Sequence, residues 1–301
     1  MRRLLFAVAA VCGARLLAPA PTLRAQDLLV AARTVAERGK LDSAYTILLR
    51  AVDAQPNRAE AHFWLAEVAG TLAAERWAVS AFFMAKRSKR EFVRAVQLSP
   101  GNPLYLEGLG RFLARAPGIV GGDRDSARAL ALNLVKIDEM RGTSLLVELL
   151  WRSRLPADRI RADSLIEAFA RSGSGGREGQ VRLAMFFART GKPERALPVA
   201  ARLVAADSTD ALGSWVLGAT LVTLHRDPAQ AARRLRWALD HPPPVTTDGR
   251  EYWPPALWWY LGQAYAQLGK ADSARTCYDE ALRLSPKFKP AKAAMDSLSL
   301  R

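Results

Sequence analysis

Cysteine and histidine are scarce in this sequence of 301 residues. It has two cysteines, Cys12 and Cys277, and three histidines, His62, His225 and His241. Two cysteines are too few for a disulfide framework or a cysteine zinc site, and no histidine lies in a Glu-x-x-His context. We therefore expect no catalytic residue, no metal and no cofactor, and hence a protein that is not an enzyme. The histidines are interpreted as surface or boundary residues, and Cys277 as a small packing residue.

A hydrophobic run long enough to cross a membrane is also missing from the N-terminus. The apolar stretch from Leu4 to Gly13 is much shorter than the roughly 20 residues that a transmembrane helix needs. Because Arg2 and Arg3 precede it, the pattern predicts a secretory signal peptide over residues 1–25, cleaved after Ala25. The alternative is an uncleaved anchor. An exported chain would be periplasmic or associated with the outer envelope.

Two short phrases recur along the chain, separated by stretches whose apolar residues are three and four positions apart, as in amphipathic helices. The first phrase is a glycine-containing turn that ends in alanine, and the second is Ala-x4-Pro. One spacing of the first phrase, 69 residues, equals two units of about 34 residues. The first phrase ends at Ala44, Ala127, Ala196 and Ala274, and the second occurs at Ala51/Pro56, Ala95/Pro100, Ala238/Pro243 and Ala281/Pro286.

The physical chemistry of one unit follows from these phrases. Glycine accepts the left-handed conformation at the end of one helix, and an aspartate (Asp42, Asp125 or Asp272) is expected to cap the next helix. Alanine lets the two helices cross closely, and proline ends the unit. Because such a hairpin cannot bury its apolar face alone, stacked neighbours must cover it, which predicts a solenoid.

The last unit resembles a tetratricopeptide repeat, and the chain is similar to exported bacterial proteins of that type. The resemblance implies an all-α, right-handed α-solenoid of about seven helical hairpins that binds other proteins. The predicted units are 25–58, 59–102, 103–141, 142–176, 177–210, 211–244 and 255–288, and residues 289–301 form a C-terminal cap. The residues that carry the resemblance are Trp258, Leu261, Gly262, Tyr265, Ala274, Tyr278, Ala281 and Pro286.

Three regions depart from the repeat. Unit 59–102 carries about ten extra residues, which we place around Leu72 to Ser80. Unit 103–141 contains an inserted glycine-rich segment, interpreted as a long turn because it lacks the Gly-Lys-Ser/Thr tail of a phosphate loop. Unit 142–176 has a weak signature. The basic run from Lys86 to Arg94 is interpreted as a solvated helix face, and the alternative is contact with an anionic lipid or a nucleic acid.

The resemblance also implies a concave groove that holds a peptide segment or a partner protein. Aromatic residues dominate binding hot spots, and the arginines favour an acidic partner. Nucleic acid is not expected, and peripheral membrane association stays open. Alternative functions are an accessory subunit of a periplasmic transport or outer-membrane assembly system, and a hydrolase or transferase acting at the inserted loops. The groove residues implied are Arg33, Glu37, Arg111, Arg115, Met185, Arg189, Trp215, Trp259, Gln263 and Gln267.

Overall fold

The computed structural model describes residues 25–172, 175–242 and 254–299, and in these ranges the secondary structure is helical, without strands. The predicted signal peptide lies almost wholly outside them, as do residues 243–253, between the predicted sixth and seventh units. Successive helices form antiparallel pairs. The first helices of the pairs are α1 (Ala25–Glu37), α3 (Ala59–Glu75), α5 (Pro103–Arg115), α7 (Glu139–Trp151), α9 (Gly176–Arg189), α11 (Ala211–Thr223) and α13 (Pro254–Gln267). The second helices are α2 (Leu41–Ala54), α4 (Ala78–Leu98), α6 (Arg124–Ile137), α8 (Pro156–Ser172), α10 (Pro193–Ala206), α12 (Pro228–Asp240) and α14 (Ala271–Leu284), and α15 (Lys289–Ser299) follows the last pair.

The pairs stack in chain order. Each second helix packs against the first helix of the next pair, and first helices also touch each other, as α3 with α5, α5 with α7, and α11 with α13. In the described ranges, successive second helices make fewer contacts with each other than the first helices do. The first helices therefore line the inner, concave side of the stack. Separate clusters of buried apolar residues follow one another along the stack in place of one central core. The predicted all-α solenoid is confirmed.

The glycine turns between paired helices have the backbone that the sequence predicts. Gly39, Gly191 and Gly269 have φ values of +73°, +73° and +72°, the left-handed region that glycine enters without steric cost. Each of these glycines follows the end of a first helix and lets the chain reverse direction. The alanines of both recurring phrases are fully buried in the structure, as expected for close helix crossings.

The predicted aspartate caps are wrong in detail. Asp42 and Asp272 lie in the first turns of α2 and α14, because each helix begins one residue earlier and a lysine occupies its N-cap position. A carboxylate in the first turn still interacts favourably with the helix dipole. At α6 the cap is Asp123 and not Asp125: its Oδ1 accepts the backbone N–H groups of Asp125 and Ser126.

The two insertions have different structures. The extra residues of the second unit lengthen its helices: α3 has 17 residues and α4 has 21, against 13 or 14 in most other helices. These helices meet at a tight connection through Arg76 and Trp77. The glycine-rich segment of the third unit forms a short 3₁₀ turn, Gly118–Val120, with Val120 buried and Gly121 at a φ of +95°. This turn packs against α4. Because the segment joins α5 to α6 without forming a further α-helix, the predicted long turn is confirmed.

The stack curves until its last unit reaches its first two. The side chain of Leu284 lies next to Gly39. The Lys287 Nζ atom donates to the backbone carbonyl of Glu75 and lies 5.1 Å from the ring centre of Trp77. These contacts join the end of α14 to the α3–α4 connection. In the described ranges no helix is long and apolar enough to span a bilayer.

Cys277 should be chemically inert in the folded protein. Its side chain belongs to the apolar core and is only 2 % exposed, and burial raises the pKa of the thiol to about 11. Because the thiolate is the reactive species, we expect iodoacetamide in mildly alkaline buffer to leave Cys277 unmodified. Mass spectrometry of its peptide, with the urea-denatured chain as the fully labelled reference, measures this. Labelling of Cys277 at equal rates in both states would contradict the placement.

Candidate functional site: an arginine-rich pocket on the concave face

A pocket of about 200 Å³ opens on the concave side, between the first helices of the third, fourth and fifth units. The contact between α8 and α9 is the sparsest between consecutive helices in the described ranges. Gly175 and Gly176, with φ values of +82° and +53°, form the N-cap and the first residue of α9. The gap between the fourth and fifth units is therefore wide enough for a pocket. Its lining residues are Arg111, Arg115, Ser144, Glu148, Trp151, Arg152, Arg182, Met185, Phe186 and Thr190.

The pocket combines an apolar surface with guanidinium groups. The rings of Trp151 and Phe186 meet edge to face, with centroids 5.9 Å apart, and Met185 packs beside them in the buried core. Arginine side chains from α5, α9 and the end of α7 surround this surface. Such a pocket can accept an apolar side chain and an anionic group next to each other.

Glu148 of α7 holds the arginines of α5 on one side of the pocket. Arg115 binds it through two parallel bonds, Nε to Oε1 at 2.5 Å and Nη2 to Oε2 at 2.8 Å. The Nε atom of Arg111 lies 4.0 Å from Oε2. Burial opposes ionisation of Glu148, but the bonds and charge of Arg115, with the charge of Arg111, outweigh it and hold its pKa below the ordinary value.

Glu107 of α5 is the centre of a second, buried network below the pocket. Its side chain is 1 % exposed. Oε1 accepts from Arg111 Nη2 and from Arg182 Nη1, and Oε2 accepts from Arg141 Nη1, all at 2.7 Å. One carboxylate thus joins three arginines from α5, α7 and α9, and it orients Arg111 and Arg182 along the pocket wall.

The pocket keeps an excess of positive charge at its rim. Arg182 and Arg141 share Glu178 as well as Glu107, so their charges are largely balanced. Arg152, by contrast, is exposed: its charge also helps to lower the pKa of Glu148, but among the residues that the structure describes no carboxylate forms a direct ion pair with it. An incoming anion therefore meets an available guanidinium at the mouth of the pocket.

The structure brings together three of the groove residues predicted from sequence: Arg111, Arg115 and Met185 line the same pocket. Arg33 lies apart in the first unit, with its guanidinium 4.8 Å from the ring centre of Trp64. Glu37 and Arg189 are the last residues of α1 and α9, and their side chains lie outside the described part of the chain.

The remaining predicted residues lie towards the C-terminal end. Trp215 is 6 % exposed and packs in the core, because α11 is covered on nearly every side. This placement makes it a packing residue and leaves little of its indole accessible to a partner. Trp259 is half-buried against Tyr260, and Gln267 Nε2 donates to the carbonyl of Val222 at 2.9 Å, which ties α13 to α11. Gln263 is half-buried on the same helix.

Sequence reasoning missed the acidic residues and the aromatic floor of the pocket. The fourth unit has a weak signature, so Glu148 and Trp151 were assigned no position in the repeat. One signal was present: opposite charges recur about one unit apart, as Glu107 and Arg141 (34 residues) and Arg115 and Glu148 (33 residues). In a stack, residues one unit apart occupy equivalent positions on neighbouring hairpins.

The interpretation of His62 as a surface or boundary residue is wrong. His62 is 6 % exposed, with Nδ1 2.6 Å from Glu91 Oε2 and Nε2 2.9 Å from the carbonyl oxygen of Pro56. The extended α3 and α4 pack closely enough to bury this pair between them. No group of three or more His, Cys, Asp and Glu side chains within the described ranges is arranged to hold a metal ion.

Replacing Glu148 by glutamine should destabilise the protein at neutral pH but not in acid. A carboxyl whose pKa is lowered by folding stabilises the fold above its ordinary value, 4.5, and loses that contribution as the pH falls through the lowered pKa. We therefore expect the wild type and E148Q to differ most in melting temperature above pH 4.5, and the difference to shrink progressively as the pH falls from 4.5 through the lowered pKa. Thermal unfolding followed by circular dichroism over this range measures the difference. A constant difference at every pH would contradict the ionised Glu148.

Stacked helical hairpins with a recessed inner face define the class of helical-repeat scaffolds, which contact other proteins. The tetratricopeptide-repeat family profile matches residues 255–288. The chain is similar to the structure of the APC/C hetero-tetramer Cut9–Hcn1, with a TM-score of 0.52 and 16% identity, over 91% of this chain and 49% of that one. It is also similar to a tetratricopeptide-repeat protein from Parabacteroides merdae, with a TM-score of 0.51 and 11% identity, over 92% of this chain and 99% of that one.

The chain thus spans about half the length of the first of these structures. At such identities the likeness concerns the fold. No curated protein matches the sequence significantly. The seventh unit therefore matches the tetratricopeptide-repeat family, and the fold of the described chain is similar to that of a tetratricopeptide-repeat structure, a fold that serves as a scaffold for protein–protein interaction.

Proposed function

We propose that this chain is an exported, non-enzymatic scaffold of the bacterial envelope that binds an acidic segment of a partner protein in the pocket between α5, α7 and α9. The basic and apolar N-terminal residues support export. The fold supports a role in protein binding. The pocket supports an acidic ligand, because the exposed charge at its rim is positive.

One observation carries this proposal: the exposed guanidinium of Arg152 lines the same pocket as the apolar surface of Trp151 and Phe186. A carboxylate of the partner contacts the exposed guanidinium of Arg152 and the outer edge of Arg115, which is half-exposed. An apolar side chain next to that carboxylate packs on Trp151 and Phe186. Because the network around Glu107 holds the wall in place before binding, little side-chain entropy is lost when the segment docks.

A synthetic peptide tests the proposal. The probe is a short fluorescein-labelled peptide rich in Asp and Glu, with one Phe and a free carboxyl terminus, and its affinity is measured by fluorescence anisotropy. The comparison peptide has Asn, Gln and a terminal amide in place of the acids. We expect the acidic peptide alone to bind, and its affinity to fall as salt rises, because the attraction at the exposed rim is screened.

Two matched variants locate the site. Arg152→Glu reverses the charge at the pocket mouth, whereas Arg154→Glu makes the same change at an exposed arginine outside the pocket lining. We expect R152E to weaken acidic-peptide binding about tenfold, the size of a lost charge-assisted contact, and R154E to leave it near the wild-type value. Equal affinity for both peptides, or equal effects of the two variants, would overturn the proposal.

A further inference from the structure

The α3–α4 end of the second unit projects large apolar side chains into solvent. Trp77, Val79 and Phe83 are 85 %, 72 % and 61 % exposed. They lie where the helices of this unit extend beyond the length of their neighbours. Soluble proteins seldom expose apolar side chains in a group, and such a group marks an interaction surface.

Basic residues continue the same face of α4. Val79, Phe83, Lys86 and Arg90 are four, three and four positions apart, which places them on one helix face. All four are exposed, Arg90 by 63 % of its side chain. The stripe is apolar at the N-terminal end of α4 and cationic further along. We call these four residues the α4 stripe.

The single acid of α4 offsets only part of the positive charge of this helix. Glu91 is the one acidic residue of α4. It is 5 % exposed and turned inwards, with Oε2 against His62. Its Oε1 lies 3.0 Å from Nε of Arg87 and accepts from Nε and Nη2 of Arg90 at 3.4 Å. The helix also carries Lys89 and Arg94 in addition to the arginines and lysine already named. Its outer surface is therefore positive.

From this arrangement we infer that the α4 stripe docks on a bilayer with anionic headgroups. An aromatic and an aliphatic side chain enter the interface, and the neighbouring cations contact the headgroups. The positive charge favours an anionic lipid surface, and the projecting apolar end matches the shallow depth at which interfacial segments bind. Contact through this stripe is peripheral, because α4 packs in the stack against α3 and α5.

Docking of this stripe is independent of the pocket. The α4 stripe lies on a second helix, on the outer side of the stack, whereas first helices line the pocket on the inner side. A membrane-bound chain therefore keeps the pocket open to a partner. The inference does not depend on the proposed peptide ligand.

Local acetylation of lysines tests the inference on the full chain. The chain is mixed with vesicles of phosphatidylglycerol and phosphatidylcholine in equal parts, or of phosphatidylcholine alone, and treated briefly with acetic anhydride. Mass spectrometry then compares Lys86 with Lys136, an exposed lysine on α6. We expect the anionic vesicles alone to protect Lys86, and Lys136 to react equally in all samples. Because the readout is local, attachment through the N-terminal residues does not imitate it.

Three variants complete the test. Phe83→Glu removes the apolar anchor. Arg90→Glu removes a cation and keeps Lys86, whose acetylation is the readout. Ile160→Glu on α8 is the matched control, because Ile160 is 66 % exposed and lies outside the stripe. We expect F83E and R90E each to raise the vesicle concentration for half-protection about tenfold or more, and I160E to leave it unchanged. Protection by neutral vesicles, equal protection of Lys136, or wild-type protection in F83E and R90E would overturn the inference.

Discussion

Replacing Glu107 by glutamine should lower the free energy of unfolding by about 3–5 kcal/mol, the usual result when a buried ion pair loses one partner. Glu107 is 1 % exposed and bonds to Arg111, Arg141 and Arg182. Without the carboxylate, three guanidinium groups stay in a poorly solvated space and repel one another. Chemical denaturation followed by circular dichroism measures the loss.

An exposed ion pair provides the control for this experiment. Glu167 is bonded to Arg195 between α8 and α10, and their side chains are 40 % and 45 % exposed. Exposed pairs of this kind contribute little to stability, so E167Q should unfold at the wild-type denaturant concentration. If E107Q and E167Q unfolded together, the buried network would not stabilise the stack in the way its geometry indicates.

Loss of Glu107 should also alter the pocket, since the same carboxylate positions two of its wall residues. In E107Q the side chains of Arg111 and Arg182 lose their common acceptor and repel each other. We expect E107Q to bind the acidic peptide more weakly than the wild type does, even without denaturant, where the variant is folded.

Replacing Trp215 by alanine should cost about 3–5 kcal/mol of stability, as large-to-small substitutions of buried aromatic residues do. The indole is 6 % exposed and packs in the cluster that joins the fourth to the seventh units. Its removal leaves a cavity that the surrounding helices cannot fill without shifting. Thermal unfolding of W215A against the wild type measures the effect.

Trp77→Ala is the matched substitution at an exposed site, since Trp77 is 85 % exposed. We expect its melting temperature to stay close to that of the wild type. If W215A had wild-type stability and bound the acidic peptide more weakly, Trp215 would be a binding residue of the groove after all. Because the expected effect of W215A is on folding, loss of partner binding in this variant alone does not identify a binding residue.

The helical solenoid could be predicted from sequence because its determinants are local and repeated. Gly39, Gly191 and Gly269 have the left-handed turns expected of them, and Ala44, Ala127, Ala196 and Ala274 are fully buried. The exact helix starts were less predictable. Asp42 and Asp272 are each the second residue of their helix, because the lysine that follows the glycine occupies the N-cap position.

The site was only partly predictable. The resemblance to the repeat family implied Arg111, Arg115 and Met185, which line the pocket, but it also implied Trp215, which is buried in the core. The position of a residue within the repeat determines the direction in which its side chain leaves the helix. Whether that side chain is covered depends on how the next unit packs. At α11 the neighbouring helices close over the indole, whereas between α7 and α9 they separate.

The sequence by itself determined the helices, their pairing and their stacking, since each follows from glycine, alanine and apolar spacing within about 34 residues. Only the tertiary structure decided which polar residues are buried, as for His62 and Glu107, and where the concave face opens. Both depend on the angle between successive units. That angle is the sum of many side-chain contacts between hairpins, and no short stretch of the chain contains it.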